Sequence, residues 1–190
     1  LYGFDAGELW SGQGPKSEYS YDGDVIYHEF THAVVDETMK LRAWHADKFG
    51  AVDAPGAMNE GLADFFSCAI TGDPDVGEYA STDFGSTTGV IRTLDNKDSC
   101  SNLVGEVHAD STAFSGGLWD ARSSLSEADQ TKFDKSIYKA MRQSDGQGDV
   151  GFEDIIKLFI TQLEEDLPKG ATALKTAMTE RRLLVDAIEL

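Results

Sequence analysis

Apolar residues recur at helical spacing through most of this 190-residue chain, and the spacing predicts a mainly α-helical protein. Glu127 to Gln143 places Phe133, Ile137, Ala140 and Met141 on one stripe. Phe152 to Glu165 repeats the design with Ile155, Ile156, Phe159, Ile160 and Leu163, and Ala171 to Ile188 with Leu174, Met178 and Leu184. Gly146-Gln147-Gly148 and Leu167-Pro168-Lys169-Gly170 punctuate them. Nearer the start, Asp22 to about Lys40 reads as a helix with Val25, Ile26, Phe30, Ala33 and Val34 turned to the core. A second helix, Ala57 to Ile70, follows Pro55-Gly56, and a third spans Ser111 to Ser124. Residues 1–20 are rich in glycine, serine and aromatics and read as loop with one strand or a hairpin. Residues 43–56 read as a loop across a cleft, and 72–105 as irregular. The expected class is α+β, mainly α. The stripes are core packing rather than a cofactor box, and no repeat or low-complexity run interrupts them.

Against this background His28-Glu29-Phe30-Thr31-His32 stands out. Residues four apart on a helix share a face, so both imidazoles can grip one zinc ion while Glu29 reaches the water beside it. A hydrolytic zinc needs a third protein ligand and one open position. The metzincin arrangement is excluded, because Val35 and Thr38 stand where a glycine and a ligand would be required. Downstream, Asn59-Glu60-Gly61-Leu62-Ala63-Asp64 again sets two acids four apart. Glu60 can complete the metal set, Asp64 can accept the second N–H of one ligating histidine, and Asn59 can orient the other.

A zinc helix followed by Asn-Glu-Gly-Leu-Ala-Asp resembles the glutamate-zincin clan, the thermolysin-like and fungalysin-like zinc metallopeptidases. Glu106-Val107-His108-Ala109-Asp110-Ser111 is similar to that family's Val-His-x-x-Ser segment, and Val90-Ile91-Arg92-Thr93-Leu94-Asp95 to its Leu-Arg-Ser-Met stretch. The resemblance covers roughly residues 20 to 122 in four ordered motifs. It implies a helical zincin catalytic domain with zinc on His28, His32 and Glu60. Glu29 is then general base, His108 stabilises the oxyanion and Arg92 holds a substrate carbonyl. Val25 and Ile91 fall where the family forms its primed-side pocket, which implies an apolar residue after the cleaved bond; plain core packing is equally open for both. Departures are Ala63 in place of the commoner serine, Leu103 where an aspartate usually orients the oxyanion histidine, and no counterpart of the family's tyrosine. Glu106, Asp98 or no residue at all orients His108, and the sequence leaves the three open.

Net charge of −18 argues against nucleic acid as a partner, since phosphates would be repelled, and fits a secreted protein with a solvated acidic surface. No run of 18 apolar residues predicts a membrane span. Asp24, Asp73, Asp75 and Glu78 form an oxygen-rich group where the resembling family places calcium, although Thr71 replaces its bridging glutamate. A calcium ion is therefore an expectation beside zinc. Cys68 and Cys100 leave a disulfide and two free thiols equally open. The division expected is 1–20 as the remnant of a β-rich N-terminal lobe and 21–190 as the catalytic and helical domain. Such a lobe, or a propeptide, is an expected upstream partner besides a peptide or protein substrate. The activity expected is that of a zinc endopeptidase; a zinc-retaining pseudoenzyme or binding module and an aminopeptidase of the same clan are the alternatives.

Overall fold

The computed structural model describes residues 2–3, 8–48, 50–144, 146 and 150–185. Three two-stranded antiparallel pairs fringe a helical body: β1 (Tyr2–Gly3) with β2 (Glu8–Leu9), β3 (His45–Asp47) with β4 (Gly50–Val52), and β5 (Asp75–Val76) with β6 (Arg92–Thr93). The helices are α1 (Gly23–Thr38), α2 (Ala54–Thr71), α3 (Val107–Ser123), α4 (Glu127–Gln143), α5 (Phe152–Asp166) and α6 (Pro168–Glu180). The expected mainly helical α+β class is what is observed. None of the described helices is long and apolar enough to cross a membrane.

Asp22 starts α1 by accepting the backbone N–H groups of Asp24 (3.1 Å) and Val25 (3.3 Å), and its second oxygen accepts from Ala80 N–H at 2.9 Å. One residue thus fixes a helix start and docks a distant loop. The buried stripe of α1 is His28, Thr31, His32, Val35 and Met39. Ile26 and Phe30, expected in the core, are instead 43% and 55% exposed. The reason is rotational: two residues apart is 200° on a helix, so burying His28 against α2 turns Ile26 outward. Val25, Ala33 and Val34 lie half-buried at the border.

Helix α2 is the centre of the body, flanked by α1 and α3 and buried over nearly its whole length. It begins at Ala54 rather than Ala57, because a proline in the first turn forgoes only an N–H that has no helical partner there. Gly61 allows α3 to approach: a Cβ there would lie 2.9 Å from the Phe114 ring and 3.2 Å from the Ser111 carbonyl oxygen. Phe65, Phe114, Phe133 and Phe159 are completely buried and link α2 to α4 and α3 to α5, with ring centroids 6.2 Å apart for Phe65–Phe133 and 6.5 Å for Phe114–Phe159. Burial of each such ring contributes ~1.5–3 kcal/mol.

Three boundaries differ from expectation. Residues 43–56 contain the β3–β4 hairpin and the first turn of α2 instead of a plain loop. Helix α3 starts at Val107, capped by Glu106, which accepts from Ala109 N–H at 2.9 Å, so His108 lies in the first turn rather than before it. Helix α6 starts with Pro168 and ends at Glu180, where Leu183 N–H bonds the Met178 carbonyl and Arg182 takes a positive φ of 57°; Ile188 lies outside the described residues. Just past α6, buried Arg181 reaches across α3. It donates to Asp120 (2.7 Å), to the Asn96 side chain (2.8 Å) and to the carbonyls of Asn96 and Asp98 (2.8 Å each). Gly116 makes room, since a Cβ there would lie 2.6 Å from the Arg181 guanidinium.

Candidate metal centre and cleft

Helices α1 and α2 cross so that three donor groups converge. His28 Nε2 lies 3.0 Å from His32 Nε2 and 3.3 Å from Glu60 Oε2, and His32 Nε2 lies 3.6 Å from Glu60 Oε1. Among the described residues these three are the one group of His, Cys, Asp or Glu side chains close enough to share a metal ion.

The surroundings fix which face of each ring points inward. His28 Nδ1 lies 2.8 Å from Asp64 Oδ1 and His32 Nδ1 2.8 Å from Asn59 Oδ1. Each Nδ1 therefore donates its proton outward, and the two Nε2 atoms aim their remaining valences at Glu60. Glu60 Oε2 is buried and has no hydrogen-bond partner. Three inward-facing acceptors at van der Waals range repel unless a cation sits among them, and two imidazoles with one carboxylate match zinc in donor chemistry. Burial alone would lower the His28 pKa, but the Asp64 and Glu60 carboxylates outweigh it and push it up to about 9. Burial and the neighbouring His28 lower that of His32.

Asp64 joins metal site to cleft wall. Fully buried, it accepts from His28 and also from Arg92, through Nε at 2.7 Å and Nη2 at 2.8 Å. Burial would raise its pKa; the Arg92 guanidinium and His28 hold it instead well below the usual carboxylate range. Arg92 is delivered by the β5–β6 pairing, in which it stands opposite Val76. Only Nη1 of its guanidinium is not engaged with Asp64.

His108 Nε2 lies 3.5 Å from Glu60 Oε1, and its Nδ1 lies 2.7 Å from Glu106 Oε1. Glu106, rather than Asp98, is the orienting partner; Asp98 offers its backbone carbonyl to Arg181. The side chain of His108 is 54% exposed, open to the cleft. Glu29 borders two cavities. One, of about 600 Å³, is also lined by Val25, Val76, Val90, Ile91 and Arg92; the other, of about 430 Å³, by Leu9, Trp10, Tyr19 and Ile26. Val25, Phe84 and His108 border both. Leu9, Trp10 and Phe84 carry no spacing signal in the sequence, since a two-residue strand and the loops have no periodicity to read.

In the oxygen-rich group, Asp24 pairs with Glu78 and accepts from Gly77 N–H at 3.2 Å; burial and the Glu78 carboxyl push its pKa up to about 7. Asp73 accepts from the backbone N–H of Asp75. Cys68 and Cys100 are free thiols, not a disulfide: Cys68 is buried on α2, with Sγ 3.7 Å from the Asp75 carbonyl, and Cys100 is exposed on the turn preceding α3.

No family model matches the chain, and no curated protein matches it. Among solved structures, the fold is similar to that of the precursor of protealysin, a metalloproteinase from Serratia proteamaculans, with a TM-score of 0.75 at 16% sequence identity. The match covers 91% of this chain and 62% of that one, so the chain spans less than two thirds of its structural neighbour.

Proposed function

We propose that this chain is the metal-binding body of a zinc endopeptidase. The observation that carries the reading is the convergence of His28 Nε2, His32 Nε2 and an unpartnered Glu60 oxygen at the edge of a cleft that Glu29 borders. The metalloproteinase fold of the structural neighbour supports it. His28, His32 and Glu60 would hold zinc, with Asp64 and Asn59 fixing the two rings. Bound there, zinc supplies Lewis acidity, polarising the scissile carbonyl and making water acidic enough to attack at neutral pH.

The chain's own groups do the rest. Glu29 takes the proton from the attacking water and delivers it to the leaving amine nitrogen as the C–N bond breaks. His108, held through Nδ1 by Glu106, presents Nε2 to the developing oxyanion. Arg92 keeps Nη1 for a substrate carbonyl while Asp64 holds the rest of its guanidinium. The larger cavity, with Val25 and Ile91 on its wall, receives an apolar side chain on the primed side of the bond. The acidic surface supports an extracellular location, and the precursor form of the neighbour supports a propeptide or N-terminal lobe as a partner besides the peptide substrate.

Zinc content and turnover of internally quenched peptides, with free and blocked amino termini, test the reading on one sample. The parent protein is expected to bind one zinc and cleave blocked peptides. Glu29→Gln should keep the zinc and lose turnover, because the general base is not a ligand. Loss of metal in that variant, or full activity, refutes the role given to Glu29; cleavage restricted to free amino termini makes the chain an aminopeptidase.

A further inference from the structure

Phe84 is 59% exposed, an unusual place for a large apolar ring, yet its position is fixed from several sides. Residues 81–86 form a tight turn in which Phe84 N–H bonds the Ser81 carbonyl and Ser86 N–H returns to the same oxygen. Beside the ring, the Asp83 carboxylate grips the N-terminal segment. It accepts from Lys16 N–H at 3.1 Å, from Ser17 N–H at 2.9 Å and from the Ser17 hydroxyl at 2.5 Å. Tyr19, on that same segment, meets the Phe84 ring at 5.5 Å between centroids. A loop 66 residues downstream is thereby latched to the N-terminal segment, and the latch carries an aromatic ring between two cavities.

Those cavities flank the chemistry. Each is bordered by Val25, Glu29 and His108, and Phe84 is the only other residue they share. Beyond it, one opens toward Val76, Val90 and Ile91, the other toward Leu9, Trp10 and Ile26. Both offer apolar walls, so each suits a large apolar side chain.

We propose that Phe84 is a specificity-determining residue, the common wall of two apolar subsites on either side of the cleaved bond, and that Asp83 is the positioning residue that holds it there. The proposal rests on the endopeptidase reading above.

The test uses the zinc-loaded chain and three blocked quenched peptides, with Phe–Leu, Gly–Leu or Phe–Gly at the cleaved bond. The parent should favour Phe–Leu over both others. Phe84→Ala should raise KM for Phe–Leu about tenfold, with a smaller change in kcat, and should narrow the preference at both positions, as expected when a ligand loses one aromatic wall. Asp83→Ala should narrow both preferences in the same direction with Phe84 still in place, which a purely structural role would not do. A parent preference retained in full by Phe84→Ala, or lost at one position only, overturns the proposal. If the parent cleaves nothing, the endopeptidase reading fails on that result alone. The two subsites are then read by calorimetry with the uncleavable reduced-amide Phe–Leu peptide: about tenfold weaker binding to Phe84→Ala supports the shared wall, and equal binding or none to the parent overturns it.

Discussion

Asp64→Asn should damage stability and metal affinity together, because one buried carboxylate serves both. Its Oδ2 receives Arg92 Nε at 2.7 Å, and its Oδ1 receives both Arg92 Nη2 and His28 Nδ1 at 2.8 Å. Asparagine keeps one acceptor and places an amide NH₂ where Oδ2 stood, facing the Arg92 Nε–H, so donor meets donor. The guanidinium, 17% exposed, also loses its counter-charge. Breaking such a buried pair costs roughly 3–5 kcal/mol. At about 2–4 °C per kcal/mol for a chain of this size, Tm should fall on the order of 10 °C. Loss of the carboxylate behind a ligating histidine should weaken zinc binding a further ~10–100-fold. Thermal unfolding by circular dichroism with chelator isolates the first loss, and competition against a chelator of known affinity measures the second. Because Asp64 has a depressed pKa, the stability it contributes is present above the ordinary carboxylate range and is lost as pH falls through its lowered folded value, so the parent–variant gap should close in strong acid. The double variant with Arg92→Met should recover part of the Tm. A Tm drop under about 2 °C with unchanged zinc affinity would refute the coupling.

The remaining expectations concern the cleft rim and the α1 start. His108→Ala should lower kcat/KM by roughly 10²–10³ with zinc content unchanged, whereas Glu106→Gln, which keeps the α3 cap, should cost about tenfold; a loss of zinc in His108→Ala would make His108 a ligand. Asp24 has a folded pKa pushed up to about 7 against an ordinary value of 3.8, so the folded state holds the extra proton and this group's stabilisation declines as pH rises between those values. Asp24→Asn should therefore gain Tm relative to the parent between pH 4.5 and pH 8; a difference that is flat or falls with pH contradicts the paired carboxyls.

The pairing of His28 with His32, and of Glu60 with Asp64, was legible because helix geometry is local: a spacing of four sets each pair on one face, whatever else the chain does. Orientation of α1 was not, since Ile26 and Phe30 form as good an apolar stripe as Val35 and Met39. Only the packing of the two histidines against α2 decides which one is buried. The start of α2 escaped for a related reason: Pro55 and Gly56 read as breakers in isolation but are permissible in a first turn. Glu106, two residues from His108, needed the α3 cap geometry before it could be chosen over Asp98. Phe84, Leu9 and Trp10 come together through tertiary contacts between segments about 70 residues apart, and no periodicity encodes that.

Arg181 makes one wall of the cleft depend on a residue far from it in sequence. Its guanidinium and its backbone carbonyl, which accepts from Cys100 N–H at 2.8 Å, tie down the stretch from Asn96 to Cys100 that joins Arg92 to His108. The side of the cleft that carries His108 is thus held by a residue past the end of α6, far along the chain from His28, His32 and Glu60, so a change at Arg181 would reach the cleft without touching any of those three.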